Sequence, residues 1–249
     1  MKIRSVVSIP KEEDYPEANE DNFRSREDGI ACALSDGASE SFDSKAWSII
    51  LCENFNSIVK RKKRGKFFHD GTITQFLNQA KNSFNNKYQK KTLSWSQEAS
   101  FRRGSFATIL GVIDHGPALE LFSVGDTVAI WQKNGQLKML SMHVDYDFNK
   151  KPILLSTLCN TNNMQLLNLD RDWSIAKIKK KEIQNNEIFL LTDALAKRVI
   201  DIAKYDALGK AINIMKQNHG RLKKWIIDER SAGLLKKDDY TIVWIESND

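Results

Sequence analysis

The chain has 249 residues and a formal net charge of +6, from 38 Lys and Arg against 32 Asp and Glu. Hydrophobic residues make up 41% and charged residues 28%, which is ordinary for a soluble globular protein. This composition excludes a disordered, a collagen-like and a disulfide-rich chain. The length allows one large domain or two small ones.

Cysteine usage and hydropathy indicate the compartment. The three cysteines, Cys32, Cys52 and Cys159, form no CxxC pair and cannot pair evenly, so a reducing environment is expected. The first ten residues lack the apolar segment of a signal peptide. No stretch approaches the roughly 18–20 apolar residues that cross a membrane. We therefore expect a cytoplasmic protein without a membrane segment.

The first third of the chain predicts one strand and two helices. Residues 28–34 are a short apolar run between turn residues, which is typical of a buried strand. Residues 44–60 carry apolar side chains at three- and four-residue steps, which predicts a helix with Ser44 as N-cap. A second helix, capped by Thr72 or Asp70, follows from a longer apolar stripe. Its members are Ile73, Phe76, Leu77, Ala80, Phe84 and Tyr88.

The middle of the chain is rich in strand formers. The predicted strands are 106–113, 118–124, 128–132 and 136–142. The links between them contain Gly116-Pro117, Gly125-Asp126 and Asn134-Gly135, and Asn-Gly is the strongest short hairpin signal. Because short links join antiparallel neighbours, we expect a meander with Asp126 in a hairpin turn.

The last third mixes strands with helices. Residues 143–182 are polar and irregular apart from the runs 153–155 and 166–167. A buried strand is expected at 188–191, helices at 194–204, 206–218 and 220–230, and a final strand at 240–245. Strands at both ends with helices between them favour a single domain over 1–249. The fold class is α+β, with helices covering antiparallel sheets.

Acidic residues recur at the ends of these strands. Asp36 follows the first strand, Asp193 follows the strand at 188–191, and Asp238 precedes the last strand. Carboxylates in such positions converge at one sheet edge, where their repulsion is costly unless cations neutralise them. A cluster with only oxygen ligands suits Mg²⁺ or Mn²⁺ rather than zinc. The alternative for any single Asp-Gly is an ordinary turn.

Two other classes of hydrolase are disfavoured. The 4 histidines share no metal-ligand spacing such as HExxH, which argues against a zinc hydrolase. Neither Ser35 nor Ser105 has the glycine flanks of a nucleophile elbow, which argues against a serine hydrolase.

The acids belong to a series of short motifs that extends from about Ser5 to Ile245. In chain order they are Asn19-Glu20-Asp21-Asn22-Phe23, Ala33-Leu34-Ser35-Asp36-Gly37-Ala38, Gly104-Ser105-Phe106-Ala107-Thr108, Ser123-Val124-Gly125-Asp126-Thr127, Leu190-Leu191-Thr192-Asp193-Ala194-Leu195 and Asp238-Asp239-Tyr240-Thr241-Ile242-Val243. The series resembles that of the metal-dependent serine/threonine protein phosphatases of type 2C, the PPM family, in its bacterial form. The resemblance implies a central sandwich of two antiparallel β-sheets flanked by helices. It also implies hydrolysis of phosphoserine and phosphothreonine by water activated between two Mg²⁺ or Mn²⁺ ions.

The same resemblance implies a role for each residue of the site. Asp36 would bridge both metals, and Gly37 would contribute its backbone carbonyl oxygen. Glu20 would help to hold one metal, while Asp193 and Asp238 would hold the other. The implied catalytic residues are therefore Asp36, Asp193 and Asp238.

Two further acids complete the implied set. Asp21 would support the metal shell, and Asp126 resembles the acid linked to a weaker third metal. A metal pair lowers the pKa of a bridging water and clamps phosphoryl oxygens, so this chemistry needs no protein nucleophile.

The chain departs from the family pattern at the phosphate site. Pro16 stands where the family has an Arg that grips phosphate. Arg24 is the first choice as its replacement, because in an extended segment it shares a face with Glu20. Arg4 and Lys11 are alternatives.

Two more departures concern positions next to the acids. Ala38 stands where many eukaryotic members carry a His, a candidate general acid. Ala194 replaces a usual Gly, which Ala can do only if φ is negative.

The expected partners are a phosphorylated protein substrate and a companion Ser/Thr kinase, with a monomeric chain and no membrane or nucleic acid. One alternative is a pseudophosphatase that binds a phosphoprotein without turnover, which Pro16 and Ala38 motivate. The other is a nucleic-acid-binding domain, based on the basic run Lys60–Lys66. That run ends a predicted helix, where cations are favoured by the helix dipole.

Overall fold

The structure, a computed structural model, describes residues 1–59, 70–141, 152–158, 174–205 and 208–247. The strands are β1 (Lys2–Ile9), β2 (Asn22–Ser25), β3 (Ala31–Ser35), β4 (Phe106–Ala107), β5 (Ile109–Asp114), β6 (Ala118–Val124), β7 (Val128–Lys133), β8 (Gln136–Leu140), β9 (Leu155–Ser156), β10 (Ser174–Lys179), β11 (Glu187–Leu191) and β12 (Tyr240–Glu246). The helices are α1 (Ser44–Ile58), α2 (Asp70–Tyr88), α3 (Trp95–Arg103), α4 (Asp193–Tyr205), α5 (Leu208–Met215) and α6 (His219–Ser231).

The strands form a sandwich of two five-stranded antiparallel sheets. We call the sheet of order β1-β12-β11-β7-β8 sheet A and the sheet of order β10-β6-β5-β3-β2 sheet B. Between them lies an apolar layer to which both sheets contribute, with Leu34 and Val112 from sheet B and Leu190 and Val243 from sheet A. Burying each such side chain contributes about 1.5–3 kcal/mol. The predicted α+β class with two antiparallel sheets is confirmed.

The helices cover the outer faces of the sandwich. On sheet B, Trp47 and Phe55 of α1 pack with Phe76 and Phe84 of α2 over the strands. On sheet A, the apolar faces of α4, α5 and α6 cover β1, β7, β11 and β12. The central strands of each sheet are therefore buried on both faces, which explains why every residue of β3 and β6 is buried without alternation.

The predicted meander is wrong at one link. β5 pairs with β6 and β7 pairs with β8, but β6 lies in sheet B and β7 in sheet A. The chain crosses between the sheets at Gly125, whose φ is +96° and whose missing Cβ would lie 2.6 Å from Thr108 Cγ2. Asp126 thus lies in a crossover between the sheets and not in a hairpin turn.

The predicted helices are present with shifted ends. Asp43, not Ser44, caps α1, because its carboxylate accepts a hydrogen bond from the Ala46 N–H at 3.1 Å. α2 already includes Asp70, and the basic run Lys60–Lys66 lies outside the described residues. The helices predicted at 194–204 and 220–230 extend by a residue at each end, whereas α5 covers only part of 206–218.

Some elements were not predicted. α3 begins with a capping box between Ser94 and Gln97 but buries no residue fully. The predicted strand 106–113 is two strands, β4 and β5, separated at Thr108. β9 and β10 lie in the segment that was expected to be irregular apart from its apolar runs, and the run 166–167 lies outside the described residues. Within the part of the chain that the structure describes, no helix is long and apolar enough to cross a membrane.

Candidate active site

The register of sheet B brings several acids to one end of the sandwich. Asn22 at the start of β2 pairs with Ser35 at the end of β3, and Ile109 at the start of β5 pairs with Val124 at the end of β6. Because these strands are antiparallel, the four strand ends lie at the same edge. The acids next to these ends are Glu20, Asp21, Asp36 and Asp126.

Sheet A contributes to the same end. Leu191 at the end of β11 pairs with Val128 at the start of β7 and with Ile242 near the start of β12, while Ile9 of β1 pairs with Tyr240. The crossover at Asp126 joins the two sheets here. The residues that sheet A places at this end are Lys11, Asp193, Asp238 and Asp239. We call this edge the acid end.

Asp36 lies at the centre of the charge at the acid end. Its N–H donates to Thr108 Oγ1 at 2.9 Å, and its carbonyl accepts from the Thr108 N–H at 2.8 Å, so its backbone is fixed. Loss of hydration raises the pKa of its carboxyl well above the usual range, and neighbouring carboxylates, first those of Asp21 and Asp193, raise it further. Gly37 is required next to it, because a Cβ there would lie 2.9 Å from the backbone of Ser44.

Asp21 is almost fully enclosed, with 7% of its surface exposed. Its Oδ2 accepts a hydrogen bond from Thr192 Oγ1 at 3.1 Å, whereas its Oδ1 has no hydrogen-bond partner among the described residues. Burial, together with the charges of Asp239 and Asp193, raises the pKa of Asp21 well above its usual range despite opposing hydrogen bonds. A buried carboxylate oxygen without a donor is a position that a cation would satisfy.

Three other carboxyls share this perturbation. Burial is the main cause that raises the pKa values of Asp126, Asp193 and Asp238 to about 6. Repulsion between like charges raises these pKa values further. The charge of Asp238 raises the pKa of Asp126, that of Asp126 raises the pKa of Asp193, and that of Asp193 raises the pKa of Asp238. Asp193 Oδ1 accepts the Ala194 N–H at 2.6 Å, and Ala194 lies within α4 with a negative φ, so Ala is tolerated there.

Glu20 differs from the other acids because donors already surround its carboxylate. Its Oε2 accepts from Lys11 Nζ at 2.7 Å and from Ser39 Oγ, and its Oε1 accepts from Ser44 Oγ. The sequence did not indicate these contacts. Their members are separated along the chain, and a lone Lys or Ser in a loop carries no recognisable pattern.

Asp239 is a further residue that sequence reasoning missed. Its side chain is 3% exposed, and its two oxygens accept the backbone N–H groups of Lys11, at 2.7 Å, and Glu20, at 2.9 Å. One carboxylate thus joins two loop segments to the start of β12. The only available signal was its position next to Asp238.

The charge and chemistry of these residues fit a hard divalent cation. Within the described residues, no three acidic, His or Cys side chains converge closely enough to hold a metal in this conformation. Asp193 and Asp238 instead accept hydrogen bonds from adjacent backbone N–H groups. Their raised pKa values and the orphaned Oδ1 of Asp21 nevertheless show an excess of buried negative charge, and an oxygen donor set suits Mg²⁺ or Mn²⁺.

The structure places Arg24 away from these contacts. It is exposed on β2, donates to the Phe23 carbonyl at 2.9 Å and lies 3.8 Å from Glu53 Oε1 of α1. In the described part of the chain, no hydrogen bond or ion pair joins it to the acid end. Its binding of phosphate stays a prediction.

A cavity of about 450 Å³ adjoins the acid end beside Ala38. The loop after Ala38, the last turn of α3 and residues 152–154 surround it. Its lining combines apolar side chains, such as Phe42 and Ile153, with the charged residues Glu40 and Arg103. The cavity approaches the acid end through Ala38, which follows Asp36 by two residues.

Comparison with known proteins identifies the class of fold. Residues 14–227 match the protein-family model described as Protein phosphatase 2C. The serine/threonine phosphatase Stp1 from Staphylococcus aureus is similar in structure, with a TM-score of 0.64 and 11% identity over 100% of this chain and 96% of that one. No curated protein sequence matches at a significant level.

Two more solved structures are similar at comparable levels. The catalytic domain of the serine/threonine protein phosphatase PstP, in complex with two manganese ions, gives a TM-score of 0.60 and 13% identity over 99% of each chain. PppA, a regulatory component of the type VI secretion system in Pseudomonas aeruginosa, gives 0.58 and 14% identity over 98% of this chain and 97% of that one. At these identities the likeness establishes the shared fold.

Proposed function

This chain belongs to the protein phosphatase 2C family of serine/threonine phosphatases, and we propose that it hydrolyses phosphoserine and phosphothreonine in a protein substrate with a pair of Mg²⁺ or Mn²⁺ ions. The observation that carries the proposal is the acid end. There the two sheets bring together buried carboxyls whose pKa values are raised by desolvation and by one another. Buried negative charge of this kind is stable when divalent cations offset it.

We assign the ligands as follows. Asp36 and the Gly37 carbonyl would contribute to holding both ions, and Asp193 and Asp238 would hold one of them. Glu20 serves the other ion, which requires its carboxylate to exchange some of its present donors. When bound, such a pair activates water and neutralises phosphoryl oxygens.

Two acids have supporting roles in the proposal. Asp21 supports the metal shell, with its Oδ2 held by Thr192 and its buried Oδ1 without a hydrogen-bond partner among the described residues. Asp126, on the crossover between the sheets, serves a weaker third ion. Ala38 carries no titratable group, so the leaving serine or threonine oxygen takes its proton from water rather than from this side chain.

The substrate is a phosphoprotein segment that lies along the cavity beside Ala38. A companion Ser/Thr kinase supplies the phosphate ester in this scheme, and the chain acts as a monomer. We place the reaction in the cytoplasm, since Cys32 and Cys52 are free thiols in the interior.

One observation favours a second candidate, a pseudophosphatase that binds a phosphoprotein without turnover. Lys11, Ser39 and Ser44 already satisfy the Glu20 carboxylate. If Glu20 kept these donors, the chain would lose one ligand of the metal pair.

The test is phosphate release from a phosphothreonine peptide, with Mn²⁺, with Mg²⁺ and with a chelator. We expect turnover that needs the metal, and calorimetry should detect two divalent ions per chain. Wild-type protein that is inert with both metals across about pH 7–9, where the site carboxylates are ionised, contradicts the proposal. Inert protein that still binds a phosphopeptide supports the pseudophosphatase.

A further inference from the structure

We propose that Lys11 is the side chain that binds the phosphate group of the substrate, an inference that rests on the proposed phosphatase function. Pro16 can neither donate a hydrogen bond nor carry a charge. A cationic side chain that helps the metal pair to hold the dianionic ester must therefore come from another position, and Lys11 is hydrogen-bonded within the acid end itself.

The backbone around Lys11 is fixed beside the acids. Lys11 follows β1 closely, and Ile9 of β1 pairs with Tyr240 of β12. The Lys11 N–H donates to Asp239 Oδ1 at 2.7 Å. The neighbouring segment is also held, because the Glu20 N–H donates to Asp239 Oδ2 at 2.9 Å. A buried carboxylate thus sets the position from which the lysine side chain extends.

Ion pairs outside the acid end hold the rest of the loop. Glu12 lies 2.6 Å from Lys237 Nζ, and Glu13 lies 2.9 Å from Lys223 Nζ. These lysines are therefore engaged with acids of the loop. Exposed pairs contribute little stability individually, but they restrict the segment that carries Lys11.

The ammonium group of Lys11 has a donor left for a ligand. An ammonium group has three N–H donors. Two go to Glu20 Oε2 and Ser39 Oγ, both at 2.7 Å, among the described residues. The side chain is 25% exposed, so a substrate oxygen can approach the third donor. A charge-assisted hydrogen bond to phosphate is about twice as strong as a neutral one.

Lys11 is the cation that lies directly among the acids of this end. An ordinary lysine ammonium is positively charged at neutral pH, and that of Lys11 is hydrogen-bonded to Glu20. Lys236, whose charge lowers the pKa of Asp193, is exposed. Arg24 is engaged with Glu53 on α1. Lys11 thus combines proximity, charge and an open donor.

The experiment measures binding of inorganic phosphate by calorimetry at saturating Mg²⁺, with KM for a phosphothreonine peptide as a second readout. The variant is Lys11→Met, which keeps the length of the side chain and removes its charge. We expect the Kd for phosphate to rise about tenfold or more, as for loss of one charge-assisted hydrogen bond. Lys11→Arg should restore most of the affinity, because its guanidinium still donates to an oxyanion.

Lys133→Met is the matched control. Lys133, on β7, forms an ion pair with Glu182 at 2.8 Å, and this pair lies outside the acid end. It resembles the pair of Lys11 with Glu20 at 2.7 Å. Its loss should leave phosphate affinity unchanged. A role limited to neutralising Glu20 would alter Mg²⁺ affinity and leave the Kd for phosphate unchanged, and that result overturns the proposal.

The outcomes separate this inference from the proposed function. Active wild-type protein, with Lys11→Met unchanged in phosphate Kd and in KM, removes Lys11 from the site and leaves the phosphatase intact. If the wild type is inert but binds phosphate through Lys11, the result supports the inference about Lys11 and contradicts the proposed phosphatase function. Wild-type protein that does not bind phosphate at all overturns the inference, whatever its activity.

Discussion

The two ends of the β-sandwich bury carboxylates in opposite ways. At the end away from the site, Asp114 closes β5, and its carboxylate accepts a hydrogen bond from the Met1 amino group and lies 3.1 Å from Lys180 Nζ. Nearby, the buried Glu120 is 2.7 Å from His115 Nε2. Burial would raise the pKa of Asp114, but the Met1 amino group, the Gly116 N–H and Lys180 hold it below its usual value.

At the acid end, burial raises the pKa values instead. Asp21 and Asp36 have pKa values well above their usual range, and those of Asp126, Asp193 and Asp238 are near 6. Desolvation is the largest cause, because these carboxyls are more deeply buried than Asp114, and neighbouring carboxylates add to it. The two ends differ also in matching positive charge, which the fold supplies at the Asp114 end and leaves to a ligand at the acid end.

The largest effect should come from Asp36→Asn. The exchange preserves size but removes the charge at the centre of the acid end, so we expect phosphatase activity to fall by about a thousandfold or more. Peptide assays with Mn²⁺ measure it, and calorimetry should show loss of metal binding. Variant protein with wild-type turnover would contradict the assignment of Asp36.

The matching exchange at the other end, Asp114→Asn, should affect stability instead. It removes the charge that pairs with the Met1 amino group and with Lys180, so we expect the free energy of unfolding to fall by about 2 kcal/mol. Urea unfolding measures this loss. Turnover per folded molecule should stay at the wild-type level, and an equal loss of activity would mean that the two ends are coupled.

Local pattern was enough to predict that some of the acids lie at one end of the sandwich, while their roles stay a prediction. Asp36, Asp193 and Asp238 adjoin short apolar strands whose ends a sequence reveals, and antiparallel pairing then brings them together. The layered α+β class follows in the same way. The crossover at Gly125 was not predictable, because a link of three residues between two strands favours a hairpin, whereas here the chain passes from sheet B into sheet A.

The missed contacts are those that join distant loops. The Asp239 carboxylate accepts hydrogen bonds from the backbone N–H groups of Lys11 and Glu20, which lie more than 200 residues earlier in the sequence. Such a contact leaves no periodic signal in the sequence. α3 was missed for a different reason. Its capping box was visible, but only Phe101 packs against the core, so no apolar stripe accompanied the cap.

The smallest predicted effect is the pH dependence of the metal-free protein. The carboxyls of Asp193 and Asp126 have folded pKa values of about 6, above the ordinary value of 3.8, so the folded state takes up protons that the unfolded state does not. Stability should therefore fall as pH rises from about 4 through 6, by about 1 kcal/mol after allowance for solvent screening. Asp114 does not contribute, because its lowered pKa places its loss of stability below this window.

Urea unfolding of the metal-free protein, with a chelator present, at about pH 5 and pH 7.5 measures how steeply the free energy of unfolding depends on pH. Asp36→Asn should make the slope shallower than in the wild type, and the contributions of groups outside the acid end cancel in that difference. Saturating Mg²⁺ should reverse the sign, because a metal binds the deprotonated carboxylates and gains affinity as pH rises. Metal-free wild-type protein that is as stable at the higher pH as at the lower would show that the carboxylates of the acid end do not repel one another. The contrast between the two ends would then have to rest on solvation alone.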